Sequence, residues 1–197
     1  MTTFADMLTQ VYTITGRSDL VTETTLALRQ ATLKAHNSDF FPLDIYEFAI
    51  NFSSAAYYQQ LDYQTLVPLW RSLKYIRKYD SVGQTAGKFL KIITPELLMD
   101  KYQVEQTDIV YIAGTQLQIK TSDSNQYFLV ACYVNPNTDP ANYSSWIANV
   151  QDTVIVTIAA TIVFKMIGFD EQAQSYAALA ADQLAMLKES YLLANGW

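Results

Sequence analysis

QDTVIVTIAATIVFKMIGFD, residues 151–170, is the most apolar run of the chain, and two structures compete for it. Thr153 to Val163 is crowded with β-branched side chains, which favour strands. Eleven uninterrupted residues from Val154 to Phe164 exceed a usual strand of about five or six, and Gly168 supplies a helix stop. The run therefore reads as a buried helix, too short for a membrane span of about 20 residues. Beyond it, Ala173, Tyr176, Ala177, Ala180, Leu184, Leu187 and Tyr191 follow one helical stripe, with Asp170 as the expected cap and Asn195-Gly196 as the stop. An alanine-rich stripe lets a partner helix approach closely, so the two helices of Tyr143 to Trp197 are expected to form an antiparallel hairpin.

Toward the N-terminus, Phe4, Met7, Leu8 and Val11 mark a short helix closed by Gly16. A second helix is expected from an Asp19 cap, with Glu23 in its first turn and an end at Asn37-Ser38. The period then changes to two. Tyr46, Phe48, Ile50 and Phe52 predict a half-buried strand, paired with Ala55 to Leu61 across a turn at Ser53-Ser54. Leu69, Leu73 and Ile76 return to a helical spacing, so Pro68 to Tyr79 is expected to be a helix, with a further short one after Thr94-Pro95. Ile109 to Val134 reads as three strands in a meander, turning at Ala113-Gly114 and at Ser122 to Asn125.

The fold class is therefore α+β: mainly a helical bundle, with an antiparallel β-hairpin and meander inserted. A single domain is expected, with N-terminal helices over 1–41, the β-containing insertion over 42–142 and the helix hairpin over 143–197. Its 197 residues suit that size.

Composition narrows the chemistry. Thirteen basic against nineteen acidic residues leave −6, which disfavours a free-standing nucleic-acid binder. One cysteine, Cys132, excludes an intrachain disulfide and a cysteine zinc cage, and the N-terminus has no signal-peptide pattern. A soluble protein of a reducing compartment is the expectation. The one histidine, His36, sits at a helix end near Asp39, and no nucleophile motif accompanies it. Its expected role is to satisfy terminal carbonyls. Neither a phosphate-cradling loop nor a metal motif is present, so no cofactor is expected. A lone Cys132 in an apolar strand reads as core.

Charge placement says more. Arg71, Lys74, Arg77, Lys78, Lys88 and Lys91 fall within twenty-one positions that hold one acid, Asp80. A solvated face, pairing with an acidic protein surface, and phosphate contact all fit this run. Fourteen tyrosines exceed what a core needs and suit interfaces. The apolar end from Ser190 to Trp197 either docks into a partner or folds back on its own helices.

Several segments in this order resemble the head-to-tail adaptor (connector, or head-completion) proteins of short-tailed bacteriophages. They are Ala35-His36 with Asp39-Phe40-Phe41-Pro42-Leu43-Asp44-Ile45-Tyr46-Glu47, Leu69 to Arg77, Tyr111 to Ile119, and Trp146 leading into the apolar helix and Gly168. The family often has Arg where this chain has Leu43. The resemblance implies a non-enzymatic ring of twelve chains beneath the portal of the capsid, assembled in the host cytoplasm. Such a ring extends a channel through which double-stranded DNA passes without specific binding, and it carries the tail nozzle and fibres; no membrane is involved. Mapped here, Tyr191, Leu192, Leu193 and Trp197 would meet the portal protein, and Arg71, Lys74, Arg77 and Lys78 would join neighbouring subunits. A virion-associated cell-wall hydrolase and a small ligand-binding module are the rival readings.

Overall fold

The computed structural model describes residues 2–79, 86–99 and 104–192. The chain is mixed α+β, 45% helical and 34% strand, with a nearly closed, barrel-like sheet. It divides into two compact units: 1–44 with 135–197, and 45–134. The inserted segment expected over 42–142 thus corresponds to a unit of its own.

In the helical unit, α1 is Phe4–Thr15, α2 Val21–His36, α4 Trp146–Met166 and α5 Asp170–Leu192. The Thr3 hydroxyl accepts the Asp6 amide while the Asp6 carboxylate takes the Thr3 amide, a reciprocal cap that starts α1. Asp19 does not cap α2; its carboxylate is held by Arg17, and Leu20 occupies the cap position. Nor does Asp170 cap α5; it is the helix's first residue. Helix α4 lies at the centre. Val154, Ile155, Ile158, Ala159 and Val163 are buried against Met7 and Val11 of α1, Ala27, Leu28 and Ala31 of α2, and Leu187 of α5. That burial on several sides overrides the strand preference of its β-branched residues.

Helix α4 is longer than its eleven-residue apolar core. Its 21 residues are long and apolar enough to cross a membrane by length and composition, and 67% of the qualifying window is buried within the protein. It is also broken: Gln151 has extended backbone angles (φ −150°, ψ 69°), which separates a first turn from the long remainder. Gly168 (φ 79°) turns the chain into α5.

The β unit holds β1 (Ile45–Asp62), a single-turn helix α3 (Tyr63–Leu66), β2 (Trp70–Tyr79), β3 (Ala86–Phe89), β4 (Lys91–Ile92), β5 (Ile109–Ala113) and β6 (Gln116–Val134). The 19-residue β6 organises it. Strand β1 runs antiparallel along nearly all of one edge, from Ile45 opposite Tyr133 to Asp62 opposite Gln116. On the other edge, β2 pairs with residues 127–134 and β5 with residues 116–120. The core beneath is Ile50, Leu61, Ile76, Val110, Leu117, Ile119, Phe128 and Val130.

Three expectations fail here. Pro68 to Tyr79 is not a helix; Trp70–Tyr79 is strand β2. Ser53-Ser54 makes no hairpin turn, because β1 continues through it with a register shift between Asn51 and Ala56. Ser122 to Asn125 does not reverse the chain either, so the meander has two strands, joined at Gly114. The expected short helix after Thr94-Pro95 is present as a 3-10 turn, Pro95–Leu97.

Candidate functional site

His36 lies at the C-terminal end of α2, 2% exposed, and its partners come from distant sequence. Nδ1 is 2.7 Å from Asp44 Oδ1 and Nε2 is 2.9 Å from Ser145 Oγ. Asp44 ends a 3-10 turn begun by Pro42, and Ser145 is the N-cap of α4. The Trp146 indole N–H donates to the same Asp44 oxygen at 2.7 Å, and its ring packs edge-on against His36 and Phe41. All four polar residues lie in the helical unit.

The order serine, histidine, aspartate is that of a hydrolase triad, so the state of the serine oxygen decides what it can do. Nδ1 thus faces the carboxyl group and Nε2 the hydroxyl. Ser145 Oγ also accepts the Ala148 amide at 3.2 Å, and the Tyr143 hydroxyl is hydrogen-bonded to it. That oxygen serves as the N-cap of α4, and a cavity of about 320 Å³ lined by Phe4, Tyr143 and Asn149 reaches this serine. The network holds α2, the Asp44 turn and the start of α4 together. Burial pushes the Tyr143 hydroxyl above its ordinary pKa, which keeps it a neutral partner.

Sequence reasoning set His36 near Asp39 and expected it to satisfy carbonyls at its helix end, whereas its ring nitrogens face Asp44 and Ser145. The Asp39 carboxylate instead lies 3.5 Å from the Lys188 ammonium, and that ammonium donates to the Ser38 carbonyl at 2.7 Å. Ser145 is 109 residues from His36, a separation that leaves no local signal.

Four of the six bases of the run fall on β2, Lys88 on β3 and Lys91 on β4, and they part company. Lys78 is 9% exposed and bonded to Asp108 at 2.9 Å and to Asp123. It is committed within its own unit, which corrects its assignment to a contact between subunits. Lys88 joins the same cluster through Asp108. Burial pulls the Asp108 carboxyl upward, but hydrogen bonds from the Ser122 amide, Lys78, Lys88 and the Ser122 hydroxyl outweigh it and hold it well below the usual carboxylate range. Arg77 donates to the Tyr79 hydroxyl at 3.0 Å and stacks on the Tyr79 and Phe89 rings. Lys74 lies over the Tyr133 ring at 5.7 Å, and Arg71 is half-buried.

Of the expected portal residues, Tyr191 packs its ring on Trp146 at 4.8 Å, so this part of the tail folds back on its own helices. Leu192 ends α5, and Leu193, Trp197 and the expected Asn195-Gly196 stop lie outside the described residues. Cys132 is fully buried, as a core residue should be, and burial pushes its thiol up to about 11.

The net charge divides as sharply as the contacts. Residues 1–44 and 135–197 hold eleven acids and five bases, whereas 45–134 hold eight of each. The helical unit therefore carries the whole −6. Among the described residues there is no cluster of three or more metal-ligating side chains. No protein-family model matches the chain, and no curated protein matches its sequence.

Proposed function

We propose that this chain is a structural virion protein: a head-to-tail adaptor of a short-tailed bacteriophage. Twelve copies form a ring beneath the portal, extend the DNA channel, and carry the tail nozzle and fibre proteins. The observation that carries this reading is the charge partition. A helical unit that carries all of the net negative charge suits a ring wall made by the helices, because a negative channel repels DNA and lets it slide. In this reading α1, α2, α4 and α5 act as the bundle, and the β unit meets tail components. Arg71 and Lys74 remain the charge contacts between neighbours, and the end of α5 with the residues after it meets the portal. The burial of His36, Asp44 and Ser145 and the capping of α4 by that serine support a non-enzymatic role.

Electron microscopy of the protein mixed with portal rings tests the reading. Twelvefold density stacked under the portal, coaxial with its channel, is the expected result. A protein that stays free of portal at physiological salt would overturn it.

A further inference from the structure

Two surfaces on this chain are incomplete by themselves. The first is a groove of about 280 Å³ in the helical unit, lined by Ile158, Ile162, Ala181 and Leu184, with the exposed Lys34 and Lys165 also lining it. Among the described residues neither ammonium has a carboxylate partner, although their unit is the acidic one. An apolar trough with two unpaired cations is suited to an apolar segment that carries an acid.

The second surface is such a segment. In the β unit, Ile92, Leu97 and Met99 are 48%, 54% and 58% exposed, and Glu96 is exposed among them. They stand on and beside the 3-10 turn Pro95–Leu97, whose shape is fixed in advance. Gln106 donates its side-chain amide to the Leu97 carbonyl at 2.6 Å and its backbone N–H to the Leu98 carbonyl at 2.9 Å. The Thr94 side chain and the backbone N–H of Glu96 hold its carboxyl below its ordinary value, so it is ionised at neutral pH. A projection that is already ordered loses little entropy when it docks.

We infer that the Glu96–Met99 projection of one copy docks in the Lys34/Lys165 groove of the next copy, with Leu97 filling the trough and Glu96 meeting the two lysines. The two surfaces differ, so the contact is head-to-tail, and repetition closes a ring if the rotation suits. The inference rests on the ring reading above and names its interface. Its polarity is also complementary: the neutral unit supplies the acid, and the acidic unit supplies the bases.

The test uses two full-length variants at exposed positions, Leu97→Cys and Ala181→Cys, one carrying a mass tag, mixed with portal rings under mild oxidation. Cys132 is buried and stays silent. A disulfide heterodimer between the two variants is expected, at least tenfold above either variant alone. Lys34→Glu with Lys165→Glu in the groove-bearing copy should lower the yield about tenfold, and Glu96→Lys in the other copy should restore much of it. Portal-bound rings that give no heterodimer would overturn this contact and leave the adaptor reading standing. A heterodimer from protein that never binds portal would keep the contact and overturn the adaptor reading.

Discussion

The indole N–H of Trp146 donates to Oδ1 of Asp44 across 2.7 Å, and the same oxygen is the one that faces His36. One carboxylate oxygen thus fixes both the end of α2 and the first turn of α4. That turn is cut off from the rest of its helix at Gln151, so it depends on these bonds rather than on helix continuity. Trp146→Phe keeps most of the ring packing and removes only the donor. Hydrogen bonds to charged groups contribute about 1.5–3 kcal/mol, and a loss in that range is expected by urea denaturation. An unchanged midpoint would show that the bond is not made in solution.

Ser145→Ala removes the N-cap of α4 and the acceptor for the Ala148 amide. Loss of a cap costs about 1 kcal/mol, and the cost here should be at the upper end because the site is buried. The same hydroxyl should resist a fluorophosphonate probe in the native protein, since it is buried and engaged as the cap of α4. A stoichiometric adduct on Ser145 by mass spectrometry would instead support the hydrolase reading.

Lys78 and Asp108 set the pH range of the β unit. The Asp108 pKa is depressed on folding from its ordinary 3.8, so its contribution is complete above that value and is lost as pH falls through the folded pKa. For Lys78, burial pulls the ammonium down, and hydrogen bonds from it to Asp123 and Asp108 outweigh this and raise it above 10.5. Its contribution is complete below that value and is lost as pH rises through the folded pKa. Stability from the cluster should therefore be flat between about pH 5 and pH 9 and fall on both sides. Lys78→Met leaves the largely buried Asp108 without its nearest cation and should cost roughly 3 kcal/mol near neutrality. A pH titration of thermal unfolding that falls as steeply below pH 4 in the variant as in the native protein would contradict this account.

The misreading of β2 has a specific physical cause. Leu73 and Ile76, two of the three residues of the expected helical stripe, are three apart, as are Trp70 and Leu73, yet Trp70, Leu73 and Ile76 lie opposite Val134, Cys132 and Val130, which are two apart on β6. Two register shifts, between Trp70 and Ser72 and between Leu73 and Tyr75, account for the difference. Each bulge inserts one residue and converts a period of two into three. The inserted residues are Arg71 and Lys74, two of the basic side chains singled out for an interface. The serine-rich clusters at Ser53-Ser54 and Ser122 to Asn125 misled in the same way. They stand where the β1–β6 pairing shifts register, so turn-forming composition marks an irregularity within long strands rather than a reversal. Helix α1 was legible because it carries its own stripe and stop, Met7 and Val11 with Gly16 after them. The His36 network was not, because Asp44 and Ser145 meet it only through tertiary packing.

The two bulge residues give the next prediction. A bulge re-aims its side chain away from the regular face, and Arg71 and Lys74 can be altered without touching the Lys78 cluster. Arg71→Glu with Lys74→Glu should cost at least the Lys74–Tyr133 contact, about 0.5–1 kcal/mol, by urea denaturation. Ring formation on portals should weaken and grow more sensitive to salt, because a rim charge acts mainly through long-range attraction. Full rings at physiological salt would remove these residues from the interface.

The end of α5 separates folding from docking. Tyr191 packs on Trp146, and Lys188 donates to the Ser38 carbonyl, so residues up to Tyr191 belong to the fold. Tyr191→Ala should therefore destabilise the helical unit, by about 2–4 kcal/mol for the loss of a largely buried aromatic side chain. Removal of residues 193–197 should do something different: it leaves the Trp146–Tyr191 contact intact and takes away the apolar Leu193 and Trp197. The truncated protein is expected to unfold at the native midpoint yet fail to co-sediment with portal rings. If it still co-sediments in full, the portal contact must lie elsewhere on the chain; if it unfolds early, those five residues belong to the core that Tyr191 helps to close.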